Sequence, residues 1–381
     1  MYSNLIKMYT RTILKSIEEW LQSKEIIILY GARQVGKTTL LEKIVSKIDN
    51  SIIYNCELPH VAEILENKNM NQIKLLLENY SLVVFDEAQV IKNIGQVLKL
   101  IYDDKSTSTK LIVTGSSSFK LANKIIEPLT GRNITFKLFP LSLKEIQSKH
   151  NWLWFKENLD QLLIYGSYPE IVDLKTSHKR LKLMQLASDY LYQDVLSYQN
   201  LRNPNLLRKL LKALALQVGS QVSYNELANL LKVNAKTIEK YIDLLEKSFV
   251  IYALPSFSKN IRNEIKKSKK FFFYDLGIRN AILNNFSNLE NRNDIGMLWE
   301  NFCINEIIKN DVYAFINSEF YFWRTYDGAE IDLIKTNQGK IVAHEFKWNA
   351  NKRYRFPKSF LETYKVEKTS KISPNNLETL L

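Results

Sequence analysis

Five short apolar runs, near residues 26–30, 51–55, 81–86, 110–114 and 134–139, alternate with stretches in which apolar residues recur every three or four positions. Runs this short and this uniformly apolar suit strands covered on both faces. Helical connections between such strands suit a parallel sheet, so the first part of the chain reads as an α/β unit. An amphipathic opening, Thr10 to Lys24, precedes the first strand, with Trp20 and Leu21 expected to face inward. From Leu141 to Leu201 the pattern turns helical. It includes the aromatic run Trp152 to Phe155, read as packing, and the stretch His178 to Tyr198. A helix from Leu206, a second over Val222 to Leu231 with a capping serine, a third over Lys236 to Phe249 and a strand over Val250 to Leu254 follow in the order of a helix-turn-helix with a wing. If that segment docks in a major groove, its third helix presents Asn234, Lys236, Thr237 and Lys240. The basic run Lys259, Arg262, Lys266, Lys267, Lys269 and Lys270, leading into the apolar Phe271 to Tyr274, is read as a boundary.

Chemistry enters at the end of the first apolar run. Gly31-Ala32-Arg33-Gln34-Val35-Gly36-Lys37-Thr38 fits the P-loop pattern at every fixed position, directly before the helical stretch that opens at Thr39. Two glycines let successive N–H groups face one concavity at a helix N-terminus, where negative phosphate oxygens are favoured. ATP is the expected ligand, with Lys37 reaching its β and γ phosphates and Thr38 giving a hydroxyl to Mg2+. The run Ser81 to Phe85 ends in Asp86 and Glu87: Asp86 suits the magnesium water shell, and Glu87 suits a base that orients the attacking water, so hydrolysis is expected. The run Lys110 to Thr114 enters Gly115-Ser116-Ser117-Ser118, making Thr114 and Ser116 candidate sensors of the γ-phosphate. Arg132 is a candidate for stabilising transferred charge in its own or a neighbouring subunit.

A second constellation occupies the last third: Glu300 in a helix opened by Gly296, then Glu330-Ile-Asp332, then Glu345-Phe-Lys347. Glu345 and Lys347 are two apart and project from one face of a strand, and a turn at Asn337-Gln-Gly339 brings Asp332 beside Glu345. Glu306, within two turns of Glu300, is the alternative helix acid. Asp275-Leu-Gly277 is read as a structural turn.

On Gly31 to Thr38, Val83 to Glu87, Thr114-Gly-Ser-Ser, Gly131-Arg132, Phe139-Pro-Leu-Ser and Tyr165-Gly-Ser-Tyr-Pro-Glu170, the chain resembles prokaryotic AAA-type ATPases with a C-terminal domain of unknown function. The resemblance implies a P-loop NTPase parallel sheet with a helical lid, a winged-helix segment and a C-terminal α/β restriction-endonuclease-like domain. The boundaries expected are 1–145, 146–205, 206–258 and 259–381. The last module resembles PD-(D/E)XK nucleases, which implies Asp332 and Glu345 as magnesium ligands, Glu300 as the helix acid and Lys347 beside the attacking water. In such ATPases a winged helix also serves as a nucleotide-responsive lid or protein contact.

Composition narrows the partners. Lys and Arg number 53 against 40 Asp and Glu, a net charge of +13, which favours a polyanion such as DNA. Two cysteines exclude a disulfide framework, and four scattered histidines form no metal-ligand spacing. No apolar stretch is long enough to cross a membrane and no apolar signal core is seen, so a cytoplasmic location is expected. The expected activity is an ATP-driven switch acting on or binding DNA. The alternative is a regulatory protein-interaction switch with an inactive C-terminal domain; a protein partner and self-association stay open.

Overall fold

The computed structural model describes residues 9–115, 129–189, 203–258 and 269–381, organised in two compact units. One comprises Met1–Pro140 with Lys247–Phe249, the other Leu141–Glu246 with Val250–Leu381.

The first unit is built on β1 (Ile26–Gly31), β2 (Ser51–Asn55), β3 (Leu82–Asp86), β4 (Lys110–Gly115) and β5 (Asn133–Leu138). They pair in the order β2-β3-β4-β1-β5, and every pairing is parallel. β3 is buried at every residue, as its uniform apolar run requires. The strands are joined through α2 (Lys37–Val45), which buries Leu40, Leu41 and Ile44, and through α3 (Pro59–Glu66), α4 (Met70–Leu77) and α5 (Ile94–Asp103), whose apolar faces meet the sheet in one core containing Val61, Leu65, Ile73, Val83, Phe85, Val97 and Ile101. The opening helix α1 (Leu14–Trp20) departs from expectation. It buries Leu14 and Ile17, preceded by Ile13, while Trp20 is 36% exposed, so the inward stripe lies one turn earlier than Trp20 and Leu21.

The second unit opens with α6 (Leu143–Gln147), α7 (Trp152–Tyr165), α8 (Pro169–Val172) and α9 (Thr176–Asp189). Next come α10 (Pro204–Leu216), β6 (Gln221–Val222), α11 (Tyr224–Leu231), α12 (Ala235–Lys247), β7 (Ile251–Leu254) and β8 (Lys269–Phe273). β8 is the middle strand of an antiparallel sheet ordered β6-β8-β7. This corrects the boundary expected between 258 and 259: the strand read as opening the C-terminal module completes the sheet that accompanies α10 to α12. Strand pairing across a long connection leaves no local mark in the sequence.

Beyond β8, α13 (Leu276–Leu283) packs on α7, α9 and α10. Its cap, Asp275, accepts from the N–H groups of Ile278 (3.1 Å) and Ser167 (2.7 Å). A Cβ on Gly277 would stand 2.2 Å from the Tyr165 carbonyl oxygen, so glycine is what permits this approach. The buried helix α14 (Ile295–Tyr313) leads to a mixed sheet of β9 (Glu319–Arg324), β10 (Glu330–Asn337), β11 (Lys340–Phe346) and β12 (Val366–Ile372), ordered β12-β11-β10-β9, with α15 (Lys358–Thr363) before the last strand. Among the described residues, no helix is long and apolar enough to cross a membrane.

Candidate nucleotide site and C-terminal acid–lysine cleft

The loop between β1 and α2 turns on two left-handed residues, Gln34 (φ 60°) and Gly36 (φ 93°), which present the N-terminus of α2. A Cβ on Gly31 would lie 2.1 Å from the Leu138 carbonyl oxygen, so the loop can leave β1 only where that residue lacks a side chain. Lys37 is 5% exposed and its Nζ donates to the carbonyls of Gly31 (3.0 Å) and Ala32 (2.9 Å), folding the ammonium over the loop. Thr38 and Thr39 are exposed on the first turn of α2.

Because β4 lies between β1 and β3, Thr114 stands next to the carboxyl end of β3. The Thr114 hydroxyl, fully buried, donates to Asp86 Oδ1 and accepts from the Glu87 N–H at 3.3 Å. Thr38 donates to Asp86 Oδ2 at 2.9 Å. Both oxygens of Asp86 are therefore held by threonine hydroxyls. Thr114, expected to sense the γ-phosphate, has its one donor spent on Asp86 and acts as a bracket for the two acids. Glu87 is left-handed (φ 54°), and its carboxylate accepts from the Gln89 amide. Burial pushes the neighbouring Cys56 thiol up to about 12, with Asp86 and Glu87 adding to the effect.

Arg11 was not singled out by the sequence pattern as a site residue. It is 7% exposed and donates to the carbonyls of Val35 (2.7 Å) in the loop and Phe139 (2.6 Å) after β5. A cation beside a short amphipathic helix carries no signal of which distant carbonyls it will cap. Arg132 corrects an expectation. Its carbonyl accepts from Ile26 N–H at the start of β1, and its guanidinium pairs with Asp103 at 3.0 Å. It thus lies at the end of the sheet opposite the P-loop, roughly 17 Å away along a strand of this length, and cannot reach a nucleotide in its own subunit. Ser116 lies outside the described residues, as do Lys259, Arg262, Lys266 and Lys267.

The second constellation also assembles, with an added member. β10 and β11 form a hairpin through Gln338 (φ 47°) and Gly339 (φ 79°), pairing Asn337 with Lys340 and Leu333 with His344. On its other edge β10 bulges: Ile331 pairs with Trp323 and Ile334 with Tyr321, so Asp332 and Leu333 together oppose Phe322. The bulge re-aims Asp332, as bulges beside sites do. Asp332 Oδ2 then accepts from the Phe346 N–H at 2.8 Å, and Asp332, Glu345 and Lys347 line one cleft. Lys347 pairs closely with Glu345 and stands 3.9 Å from Asp332.

Lys270 is the added member. It lies on β8, is 2% exposed, and bridges Glu300 on α14 (3.0 Å) and Glu330 on β10 (2.6 Å). β8 opens with Lys269 and Lys270 before three phenylalanines, and a buried ammonium there is tolerable only when paired, but nothing local in the sequence names its partners. Burial drives the carboxyls up, Glu300 to about 8 and Glu345 to about 7; Asp332 is raised too. Among the described residues, no three acid, histidine or cysteine side chains are disposed to hold a metal ion together. Glu306 is not an alternative to Glu300: its carboxylate accepts from Leu143 N–H (2.7 Å) and pairs with Lys309 (2.9 Å).

At the N-terminal end of α12, Lys236 and Lys240 are exposed. Asn234 Oδ1 caps the helix, accepting from the Thr237 N–H (2.7 Å) and hydroxyl (2.8 Å), so Thr237 is partly committed to the cap.

The parallel sheet and its P-loop form a P-loop NTPase fold that carries an AAA-type domain. The comparisons divide the chain into regions. Residues 23–147 match the AAA domain family, and residues 156–289 and 295–377 match two domains of unknown function, DUF8612 and DUF4143. An uncharacterised protein of Methanocaldococcus jannaschii is 25% identical over 351 residues, spanning 87% of this chain and 76% of its own length. One of Mycobacterium tuberculosis is 27% identical over 327 residues, spanning 84% and 70%. A Walker-type ATPase of Pyrococcus abyssi shares the fold, with a TM-score of 0.50 and 16% identity over 72% of this chain and 95% of that one.

Proposed function

We propose that this chain is a magnesium-ATP-hydrolysing switch whose winged-helix segment and C-terminal nuclease-like module act on or bind DNA. The observation that carries the ATPase reading is the bracket at the P-loop, in which Thr38 and Thr114 hold Asp86 and Thr114 also accepts from the Glu87 N–H. The residues fit the absent ligands. Loop N–H groups and Lys37 suit the phosphates, and the Thr38 hydroxyl and Asp86 carboxylate, 2.9 Å apart, are an oxygen pair suited to Mg2+. That ion would screen phosphate charge. Glu87, fixed at the end of β3, is the base that orients and deprotonates a water, and the Gln89 amide donates to its carboxylate.

Four segments belong to this reading: the ATPase core, a helical region, a winged helix that includes β8, and the mixed-sheet module. In the last, Asp332 and Glu345 suit a metal and Lys347 a scissile phosphate, whereas Glu300, held by Lys270, does not complete a three-acid set. The pairing of the cleft acids with lysines favours the second reading, a protein-interaction switch without cleavage.

The deciding experiment follows phosphate release and the cleavage of supercoiled and single-stranded DNA with Mg2+ or Mn2+, with and without ATP. The native chain is compared with Glu87→Gln and Asp332→Ala. Cleavage lost in Asp332→Ala supports the nuclease form. ATP turnover without cleavage, together with salt-sensitive DNA retention, supports a DNA-binding switch. Turnover with no DNA retained supports the protein-interaction reading, and native protein that releases no phosphate under any of these conditions removes the ATPase reading.

A further inference from the structure

The guanidinium of Arg11 ties the P-loop to the sheet. It donates to the Val35 carbonyl at 2.7 Å and to the Phe139 carbonyl at 2.6 Å, from a side chain that is 7% exposed. Both anchors are firm: Phe139 follows β5, whose Leu138 pairs with Gly31, and Val35 is fully buried. The peptide between Val35 and Gly36 is the loop's weak point. Gly36 is left-handed at φ 93° and ψ 31°, and a glycine accepts either sign of φ, so this peptide plane can turn over at little cost. In a trans peptide the C=O and the following N–H point in opposite directions, and no peptide of the described residues is cis. A donor fixed on the Val35 carbonyl therefore fixes the Gly36 N–H on the opposite side. Gly36 caps α2, so that N–H stands beside the N–H groups of the helix's first turn, where an anion is favoured. Lys37 also holds loop carbonyls, those of Gly31 and Ala32, but it is the group expected on the phosphates, and its hold is given up when it turns to them. The hold of Arg11 is not.

We infer, resting on the ATPase reading for the ligand, that Arg11 is a positioning residue for phosphate binding: by holding the Val35 carbonyl from behind the loop it keeps the Gly36 N–H turned into the phosphate concavity. Arg11 touches no substrate and acts through that one peptide. Loop N–H groups of this kind cradle the α and β phosphates, which ATP and ADP share, so Arg11 serves both nucleotides alike. Pyrophosphate offers the same contact without base or sugar.

Equilibrium binding of ATP, ADP and pyrophosphate to the full chain with Mg2+ tests it, with the folded fraction followed by thermal unfolding. Arg11→Ala is expected to weaken all three by the same factor, about tenfold or more, the size of one lost hydrogen bond to a charged group. Arg11→Lys keeps the charge but cannot fork to two carbonyls, and is expected to lose less. At saturating ATP its kcat is expected to change less than about threefold while KM rises with Kd, because ground and transition states share the cradle. Should Arg11→Ala not fold, Arg11→Gln takes its place. Affinities within about threefold of native in the folded variant, even at a lower melting temperature, overturn the inference and leave Arg11 a structural tie. A loss confined to ATP overturns it too, since Arg11 would then act on the γ-phosphate. Either outcome leaves the ATPase reading standing, whereas a native chain that binds neither ATP nor ADP removes both.

Discussion

The nucleotide site and the C-terminal cleft both gather acids at strand ends, and they settle those charges in opposite ways. At the P-loop, Asp86 is held by two threonine hydroxyls and the nearby lysine is turned onto backbone carbonyls. In the cleft, lysines sit directly on acids. Hydroxyls orient a carboxylate without cancelling its charge, so on the proposed reading the counter-charge of the first site would come from a cation delivered with ATP. The second carries most of its counter-charge in its own chain, at the cost of burying it. The difference teaches that an acidic motif in sequence announces position, and that only the partners decide whether it is a metal site.

The largest expected effects fall where charge is left to the ligand. Lys37→Ala is expected to lower kcat/KM for ATP by about 10²–10³-fold through loss of a cation on developing charge. Glu87→Gln is expected to lower kcat by about 10²–10⁴-fold while nucleotide affinity, read by a fluorescent ATP analogue, changes little. If Glu87→Gln instead abolished binding and left residual turnover untouched, Glu87 would be a structural acid and the contrast with the cleft would lose one side.

The next effect is on stability and asks whether buried acids of the second unit need a cation at all. Asp275 is held by backbone rather than by a hydroxyl or a directly paired lysine: it accepts from Ser167 and Ile278 N–H groups, Lys309 acts on it only through space, and Gly166 packs on it. A Cβ on Gly166 would lie 2.1 Å from Asp275 Oδ1, at a backbone of φ 73° and ψ −164° that side chains rarely adopt. Gly166→Ala is expected to destabilise by about 2–4 kcal/mol, measured in denaturant, from strain plus overpacking. A change under about 1 kcal/mol would show that this backbone-held acid is loosely packed.

These cases show what the sequence made legible. The five strands were visible because each is short and mainly apolar, and the P-loop because its chemistry is local. Asp332, Glu345 and Lys347 were legible as a set because a hairpin turn and a period of two are short-range. Lys270 was not. It meets Glu300 and Glu330 only because β8 joins one sheet while lying against another, a long-range fact hidden inside a basic run. Arg11 was hidden for the same reason, its partners being 24 and 128 residues away. Trp20 was misplaced because α1 is short: the stripe through Ile13 and Ile17 has left the core by the helix's last residue, which nothing local in the sequence shows.

A smaller effect concerns DNA. Lys236→Ala and Lys240→Ala are each expected to weaken retention similarly on unrelated sequences and to reduce the slope of log affinity against log salt by about 1. Slopes unchanged in both would remove α12 as a phosphate-contacting surface and leave the basic excess of the chain to act elsewhere.

The smallest expected effect concerns Arg132, which separates the two ways an arginine could serve the nucleotide site. Its pairing with Asp103 is partly exposed, with side chains 32% and 46% accessible, so the pair contributes about 0–1 kcal/mol. Because its backbone sits at the start of β1, Arg132→Ala in dilute protein is expected to change kcat by less than about twofold, against the 10³-fold or more that an arginine reaching the γ-phosphate supplies. The informative variable is protein concentration. If a second copy brought this end of its sheet to the nucleotide, native turnover per chain would rise with concentration and Arg132→Ala would abolish that rise. A flat specific activity in both proteins assigns Arg132 to its pairing with Asp103 and removes it from the positive charge brought to the phosphates.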